Sequence, residues 1–560
     1  MPKTHFFPSP FGEVSVEASS LPTRIRAPEP LAADWALGWW HAHTAGDEAV
    51  FARSFWSSQL AAAPRPTPAQ AEVDAFTSRW RFTAALDQET ARLSAGDRAR
   101  VQAYAQGFNQ GRHRRSHEAP WTPEDSHLLA RTLGFLEWWE VRAPQVAFLR
   151  EVWKEGLDWG RIADLWPQVG GEPEVHPGEV PWEAPLSPAA WALVRPIRRF
   201  RPGLAWALPA ARTSDRRAIL ASSFLSDVTD PGLPFLPVRV ETPGGTLRGL
   251  SRPGHPGFLA GKTANLAWQA VPAVDDTVDL GPAGGLWVGA NRTGTLAGLL
   301  ALEGCPDVRE AEGLTRDTGS ACLDLSAVDS RGGAGRWAAG PRWLRALPRE
   351  AWLPRESETA PPAGPRNQPT EPQDPPGIPG RPNADAAGAA LVQTRSPLPE
   401  ALLPVLRFLL PDSEAGQRLR RWNGSPEKGP EAEAFEALAG AVIAAFWEGS
   451  PRVPEPGSPV FHGLLPTVIR LLQAPHSAWM PSSEKNRRLA EAVRRAFAPG
   501  RPPGPPLLAS TAPKACWTET PGDRPRIWAV TVAFTASAGD DDWRVFLTDD
   551  ETEPPVFRGW

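Results

Sequence analysis

The stretch Gly203-Leu204-Ala205-Trp206-Ala207-Leu208, then Arg212-Thr213-Ser214, then Ala218-Ile219-Leu220-Ala221, marks the point where the chain changes character. From 203 to 345 short apolar runs alternate with Pro-Gly and Gly-Gly pairs. Ala218-Ile219-Leu220-Ala221, Val238-Arg239-Val240-Glu241 and Leu286-Trp287-Val288 carry strand signals, and the pairs between them carry turn signals. Upstream the pattern is helical. Residues 30 to 62 hold good helix formers with apolar side chains at helical spacing, including Trp35, Leu37, Trp39, Trp40 and His41. Residues 66 to 160 continue in this way, with Thr67, Ser94 and Thr122 as N-cap candidates. Thr122-Pro123-Glu124-Asp125 places Pro at the first helical position and acids in the first turn.

Downstream, residues 354 to 385 are Pro-rich and almost free of large apolar side chains, so they are expected to form a mobile loop. Residues 397 to 447 and 463 to 498 read as helical. Arg501-Pro502-Pro503-Gly504-Pro505-Pro506 reads as a spacer before strand-like runs at 527–532 and 543–547. These shifts divide the chain into a helical region (1–202), a sheet core (203–353), the Pro-rich loop (354–385), a second helical region (386–498) and a spacer with C-terminal strands (499–560).

Composition excludes several classes. A chain of 560 residues with 41% apolar content can bury a large core. Its formal net charge of -5 argues against a nucleic-acid partner, which needs a basic face. Cys305, Cys322 and Cys516 give neither a disulfide framework nor metal-type spacing. No apolar run is long enough for a transmembrane helix, and residues 1–7 hold no signal-peptide core, so a cytoplasmic, membrane-free protein is expected. The 65 Pro and 26 Trp, with Arg far above Lys, suggest a GC-rich bacterial genome.

Around Gly203, the order Gly-Leu-Ala-Trp-Ala-Leu, Arg212-Thr213 and Ala218-Ile219-Leu220-Ala221 resembles the start of the catalytic chain in the penicillin acylase (penicillin amidase) family. There the pattern runs Ser-Asn-x-Trp-Val-Val, Arg-Thr, Leu-Leu-Ala-Asn-Asp-Pro-His. Further motifs follow in order. Asp34 with Ala36-Leu37-Gly38-Trp39-Trp40-His41-Ala42 resembles "D-x-x-x-A-L-G-Y-x-H-A". Tyr104-Ala105-Gln106-Gly107-Phe108-Asn109 resembles "Y-A-x-G-V-N", and Pro120-Trp121-Thr122-Pro123-Glu124-Asp125-Ser126 resembles "P-W-x-P-x-D-S". Pro253-Gly254-His255-Pro256, Asn265-Leu266-Ala267-Trp268, Ala327-Val328-Asp329 and Arg421-Trp422-Asn423-Gly424 extend the resemblance.

The resemblance implies an α+β fold of the N-terminal-nucleophile hydrolase type. Two antiparallel sheets would be stacked between helical layers, with a helical N-terminal region and a helical insertion. It implies amide hydrolysis through an acyl-enzyme. Self-cleavage frees a Ser whose own α-amino group, of reference pKa about 7.7 to 8.0, acts as base.

Several departures fall on that chemistry. Gly203 stands where the nucleophilic Ser belongs, and it has no hydroxyl. Pro272 stands where a backbone N–H helps form the oxyanion hole, and proline has no N–H. Loss of one such donor removes about 2.7 to 4 kcal/mol of transition-state stabilisation. Leu225 replaces a Gln or His near the α-amino group. The segment with the family's oxyanion Asn falls in the Pro-rich stretch, where Asn383 is the candidate remnant. The family's "Trp-x-Trp-Gly-x-x-His" region has no counterpart after Phe497.

Asp276, Val278 and Asp279 resemble the family's calcium loop. The Glu that completes that site aligns near Pro144, with Glu137 and Glu140 close by, so only weak calcium binding and no other cofactor is expected.

The resulting expectation is a catalytically silent homologue that binds an acylated small molecule, such as an N-acyl lactone or related amide, or a protein partner whose identity is open. Two alternatives remain: an active amidohydrolase using another nucleophile, with Ser222, Ser223 and Ser226 nearby, and an interaction scaffold without a ligand. His41 and His43, at i and i+2, point apart and read as a core or interface feature rather than a metal pair. Trp39-Trp40 and Trp138-Trp139 read as core, and Arg112-His113-Arg114-Arg115 as a solvated face.

Overall fold

The computed structural model describes residues 4–18, 22–63, 65–112, 119–165, 186–194, 205–214, 216–224, 236–272, 278–279, 286–316, 319–340, 397–422, 429–455, 459–474, 477–498 and short strands between 517 and 559. The chain opens with β1 (Thr4–Ser9), β2 (Gly12–Glu17) and β3 (Thr23–Arg26). Helices follow: α1 (Pro30–Trp56), α2 (Pro68–Arg79), α3 (Leu86–Arg92), α4 (Ala95–Gly111), α5 (Pro123–Arg131), α6 (Phe135–Lys154), α7 (Trp159–Leu165) and α8 (Pro188–Val194). The caps fall where the sequence puts them. Thr67 and Thr122 each close a capping box, with Gln70 and Asp125, and Ser94 Oγ accepts the Asp97 N–H.

The second half of the sheet core holds β4 (Ala205–Leu208), β5 (Ala218–Phe224), β6 (Leu236–Thr242), β7 (Gly245–Ser251), β8 (Phe258–Lys262), β9 (Leu266–Pro272), β10 (Val278–Asp279) and β11 (Leu286–Trp287). Then come α9 (Thr295–Leu302), α10 (Val308–Thr315), β12 (Leu323–Asp329) and β13 (Ala334–Ala339). The C-terminal strands are β14 (Trp517–Thr518), β15 (Arg526–Ile527), β16 (Val530–Ala536), β17 (Trp543–Leu547) and β18 (Val556–Gly559).

Nine strands form one sheet in the order β1-β2-β3-β6-β7-β8-β9-β12-β13. Every neighbouring pair is antiparallel except β3 and β6, which run parallel. A five-stranded sheet, β18-β17-β16-β5-β4, lies against it: β4 touches β12 and β13, while β5 and β16 touch β9. Helices cover part of the larger sheet. α1 lies on β2, β3 and β6, α9 on β8, and α10 on β12 and β13. Val16, Ile25, Val238 and Leu250 of that sheet share one core with Ala207 and Leu220 of the smaller one. This is the expected α+β two-sheet architecture.

Two features differ from the sequence reading. Residues 4–26, grouped with the helical first region, form three strands of the main sheet. β1 and β2 pair locally, while β3 joins the sheet by pairing in parallel with β6, more than two hundred residues away, which no local pattern reports. The stretch 203–345, read as strands and turns, contains the helices α9 and α10. α9, Thr-Leu-Ala-Gly-Leu-Leu-Ala-Leu, is apolar on nearly every side, and a short run of that kind has no period to separate helix from strand.

α1 and α4 cross at backbone contact. A Cβ at Gly107 would collide with the Trp35 carbonyl, and one at Gly38 with that of Tyr104. A second core, separate from the sheet core, is built by the end of α6, α7 and helices between 397 and 496, around Phe435, Phe446, Trp447, Trp479 and Leu489. Among the described residues no helix is long and apolar enough to cross a membrane.

Candidate functional site

The end of β9 can be placed from the register. Pro272 closes the strand opposite Leu323, the first residue of β12. At the other end of β12, Asp329 lies opposite Leu266 and starts the turn to β13. β4 leaves at that turn, because the Ala210 N–H donates to Gly332 O at 3.0 Å. The beginning of β4, Ala205, therefore lies toward the Pro272 end of the sandwich, opposite Ser222 of β5. Gly203, two residues before Ala205, lies outside the described residues.

Pro272 is buried. Its ring packs on Gly134, which starts α6 in a left-handed conformation with φ 86°. A Cβ on Gly134 would come within 2.9 Å of Pro272 Cβ, so glycine is required both by conformation and by this approach. Behind this contact Phe76, Trp80, Phe82, Phe135 and Trp287 form a nest of buried rings, and Trp139 packs on Phe76 at a centroid distance of 4.9 Å. Arg131 stands over Trp287 and donates to the carbonyls of Gly289 and Ala290, both at 2.9 Å. Trp39 and Trp40 are likewise buried, as the core reading expects.

The remaining sequence candidates separate. Leu225, Ser226, Asp276 and Asn383 lie outside the described residues, as does the Pro-rich stretch 354–385. Ser222 and Ser223 are backbone partners of Val532 and Thr531. Val278 and Asp279 form β10, paired with Trp287 and Leu286. Glu137, Glu140 and Pro144 lie on α6. Among the described residues no group of three or more His, Cys, Asp or Glu can hold a metal ion. Cys305 and Cys322 are buried. Arg112 reaches back from the end of α4 to Asp47 at 2.8 Å.

One arrangement escaped the sequence reading: Ser251, His41 and Tyr104 are hydrogen-bonded in a line. His41 Nε2 is 2.9 Å from Ser251 Oγ, and His41 Nδ1 is 2.8 Å from Tyr104 Oη. The spacing is that of a nucleophile and base, but the donor directions are reversed. The Gly254 N–H donates to Tyr104 Oη at 2.9 Å, which leaves the phenol proton for His41 Nδ1. Nε2 must then carry the imidazole proton and donate to Ser251, whose own proton goes to Leu236 O at 3.2 Å. Reversing the tautomer would leave the Tyr104 O–H without an acceptor. A general base has to accept from the nucleophile, and His41 donates to it.

The three side chains are fully buried, and burial holds His41 neutral, well below the usual histidine range. His255, also fully buried, is pushed down to about 3, first by burial and then by Arg252. The β7–β8 ladder shifts register between Leu250 and Ser251, a bulge at the residue that reaches His41. His43, two residues on, is exposed, as the helical spacing requires. The signal available in the sequence was Tyr104, the one tyrosine in a chain with 22 Phe.

Residues 22–281 match the family model of penicillin amidase. Among solved structures 33 chains match. One is a thermostable penicillin G acylase from Alcaligenes faecalis, 13% identical, aligned over 61% of this chain and 89% of its own, with a TM-score of 0.38. No curated protein matches.

Proposed function

We propose that this chain, whose residues 22–281 match the penicillin amidase family model, is a member of that family without amidase chemistry, one that binds an acylated small molecule or a protein partner rather than turning a substrate over. The observation that carries this reading is the pairing of Gly203 with Pro272. The residue in the nucleophile position has no hydroxyl, and the residue in the oxyanion position has no N–H. The burial of Pro272 against Gly134 supports it, because a Cβ at Gly134 would come within 2.9 Å of the proline ring, so the two are closely packed there.

The direction of the His41–Ser251 bond argues against Ser251 as a substitute nucleophile. Ser251 is fully buried among the described residues, and in the tautomer that satisfies Tyr104 its base donates to it. A chromogenic acyl-anilide assay tests the proposal on the natural chain, on Gly203→Ser and on Gly203→Ser/Pro272→Ala. The natural chain and the single variant are expected to stay at the blank rate. Turnover by the natural chain, or its appearance in Gly203→Ser alone, would show a site more complete than this reading allows.

A further inference from the structure

Glu303 sits one residue past α9, and its carboxylate is one of two that converge on a single guanidinium. Arg100 Nη2 donates to Glu303 Oε2 at 2.6 Å, while Nε and Nη2 donate to Asp34 Oδ2 and Oδ1 at 2.7 and 3.2 Å. The Asp34, Arg100 and Glu303 side chains are 7%, 19% and 12% exposed. Glu303 Oε1 is buried without a hydrogen-bond partner among the described residues. With both carboxylates ionised this group carries one uncompensated negative charge, in a place water barely reaches. Low dielectric makes that state expensive, and a single proton removes the excess.

We propose that Asp34, Arg100 and Glu303 form a proton-controlled clasp fixing α9 to the α1–α4 pair, closed while Glu303 holds a proton and loosened when that proton leaves to solvent.

The charged groups acting on Glu303 among the described residues are Arg100 and Asp97 of α4 and Asp34 of α1. Burial drives the Glu303 carboxyl upward, Arg100 pulls it back, and Asp34 and Asp97 push it up again, leaving it at about 7. Such a carboxyl holds its proton in the folded chain over a range where the unfolded chain has already lost it. Its contribution to stability is therefore full at acid pH and declines as pH rises from the ordinary 4.5 through 7. The other end of α9 is tied to the candidate site. Thr295 Oγ1 accepts the N–H groups of Ser320 and Ala321 at 2.9 and 3.2 Å, and that segment leads into Leu323 opposite Pro272. Loosening α9 acts on this wall.

Hydrogen exchange of the full chain near pH 5.5 and 8.5, corrected for intrinsic exchange rates, is the test. Protection of residues 295–302 should fall by about tenfold or more at the higher pH in the natural chain and stay level in Glu303→Gln. No fall in the natural chain, or an equal fall in Glu303→Gln, overturns the clasp. Should Glu303→Gln not fold, carbon-13 titration of the glutamate carboxyls in the natural chain decides it. A midpoint near 7 for Glu303 supports the clasp, and one at the ordinary glutamate value overturns it.

Discussion

His41 and Pro272 are both buried in the sheet region, and they differ in what their surroundings ask of them. Around His41 every proton has an acceptor: Gly254, Tyr104, His41, Ser251 and Leu236 form one directed line of hydrogen bonds. Around Pro272 the contacts are steric, a ring on Gly134 with aromatic side chains behind it. The first region is held by a polar network that fails if one member is removed. The second is held by shape and tolerates a residue that cannot donate. On the proposed reading, folding and amide chemistry rest on different atoms, and a chain can retain the first without the second.

The comparison breaks most visibly at the network. His41→Ala removes the acceptor for the Tyr104 proton and the donor to Ser251, and opens a cavity between α1, α4 and β7. A loss of about 3 kcal/mol or more is expected, read as a lower denaturant midpoint. A loss below about 1 kcal/mol would mean that water replaces the ring and the line is not cooperative.

A smaller effect follows from acid. Burial holds His41 and His255 neutral in the folded chain, while in the unfolded chain both take a proton near the usual 6.5. Below that value the unfolded state binds more protons, so stability falls as pH falls, for His255 down to about 3. Replacing one such histidine, as in His255→Gln, should make the acid limb shallower by up to about 1.4 kcal/mol per pH unit. Glu303 works in the opposite direction between 4.5 and 7, which is why the variant and the natural chain must be compared over the same range. An unchanged slope would place the titrating groups elsewhere.

The smallest effect is expected at the carboxylates Asp276 and Asp279. Millimolar calcium should raise the melting temperature by no more than about 2 to 4 °C, the shift that about 1 kcal/mol gives a large domain. A large shift at micromolar calcium would point to a complete ion site and undo the contrast between the two regions.

What the sequence could tell follows the same division. Thr67, Ser94 and Thr122 were legible as caps because a cap is local, set by a side chain and the N–H three residues on. β5, β6 and β17 were legible because branched and aromatic residues stood between turn residues. β1 to β3 were not, since they enter the sheet through β3, which pairs with distant β6. That Pro272 has no N–H follows from the residue type alone, while its place in an oxyanion hole belongs to the proposal. The His41 line and the Arg100 clasp were illegible, because their members are 63, 66, 203 and 210 residues apart and meet only after the sheet has formed.

The central claim, a folded family member without the family's chemistry, is tested most directly by the intact mass of the purified full chain. Self-cleavage needs the hydroxyl that Gly203 lacks. The account predicts a single uncut species at 60.7 kDa. Two chains divided between Pro202 and Gly203, recovered without added protease, would contradict it.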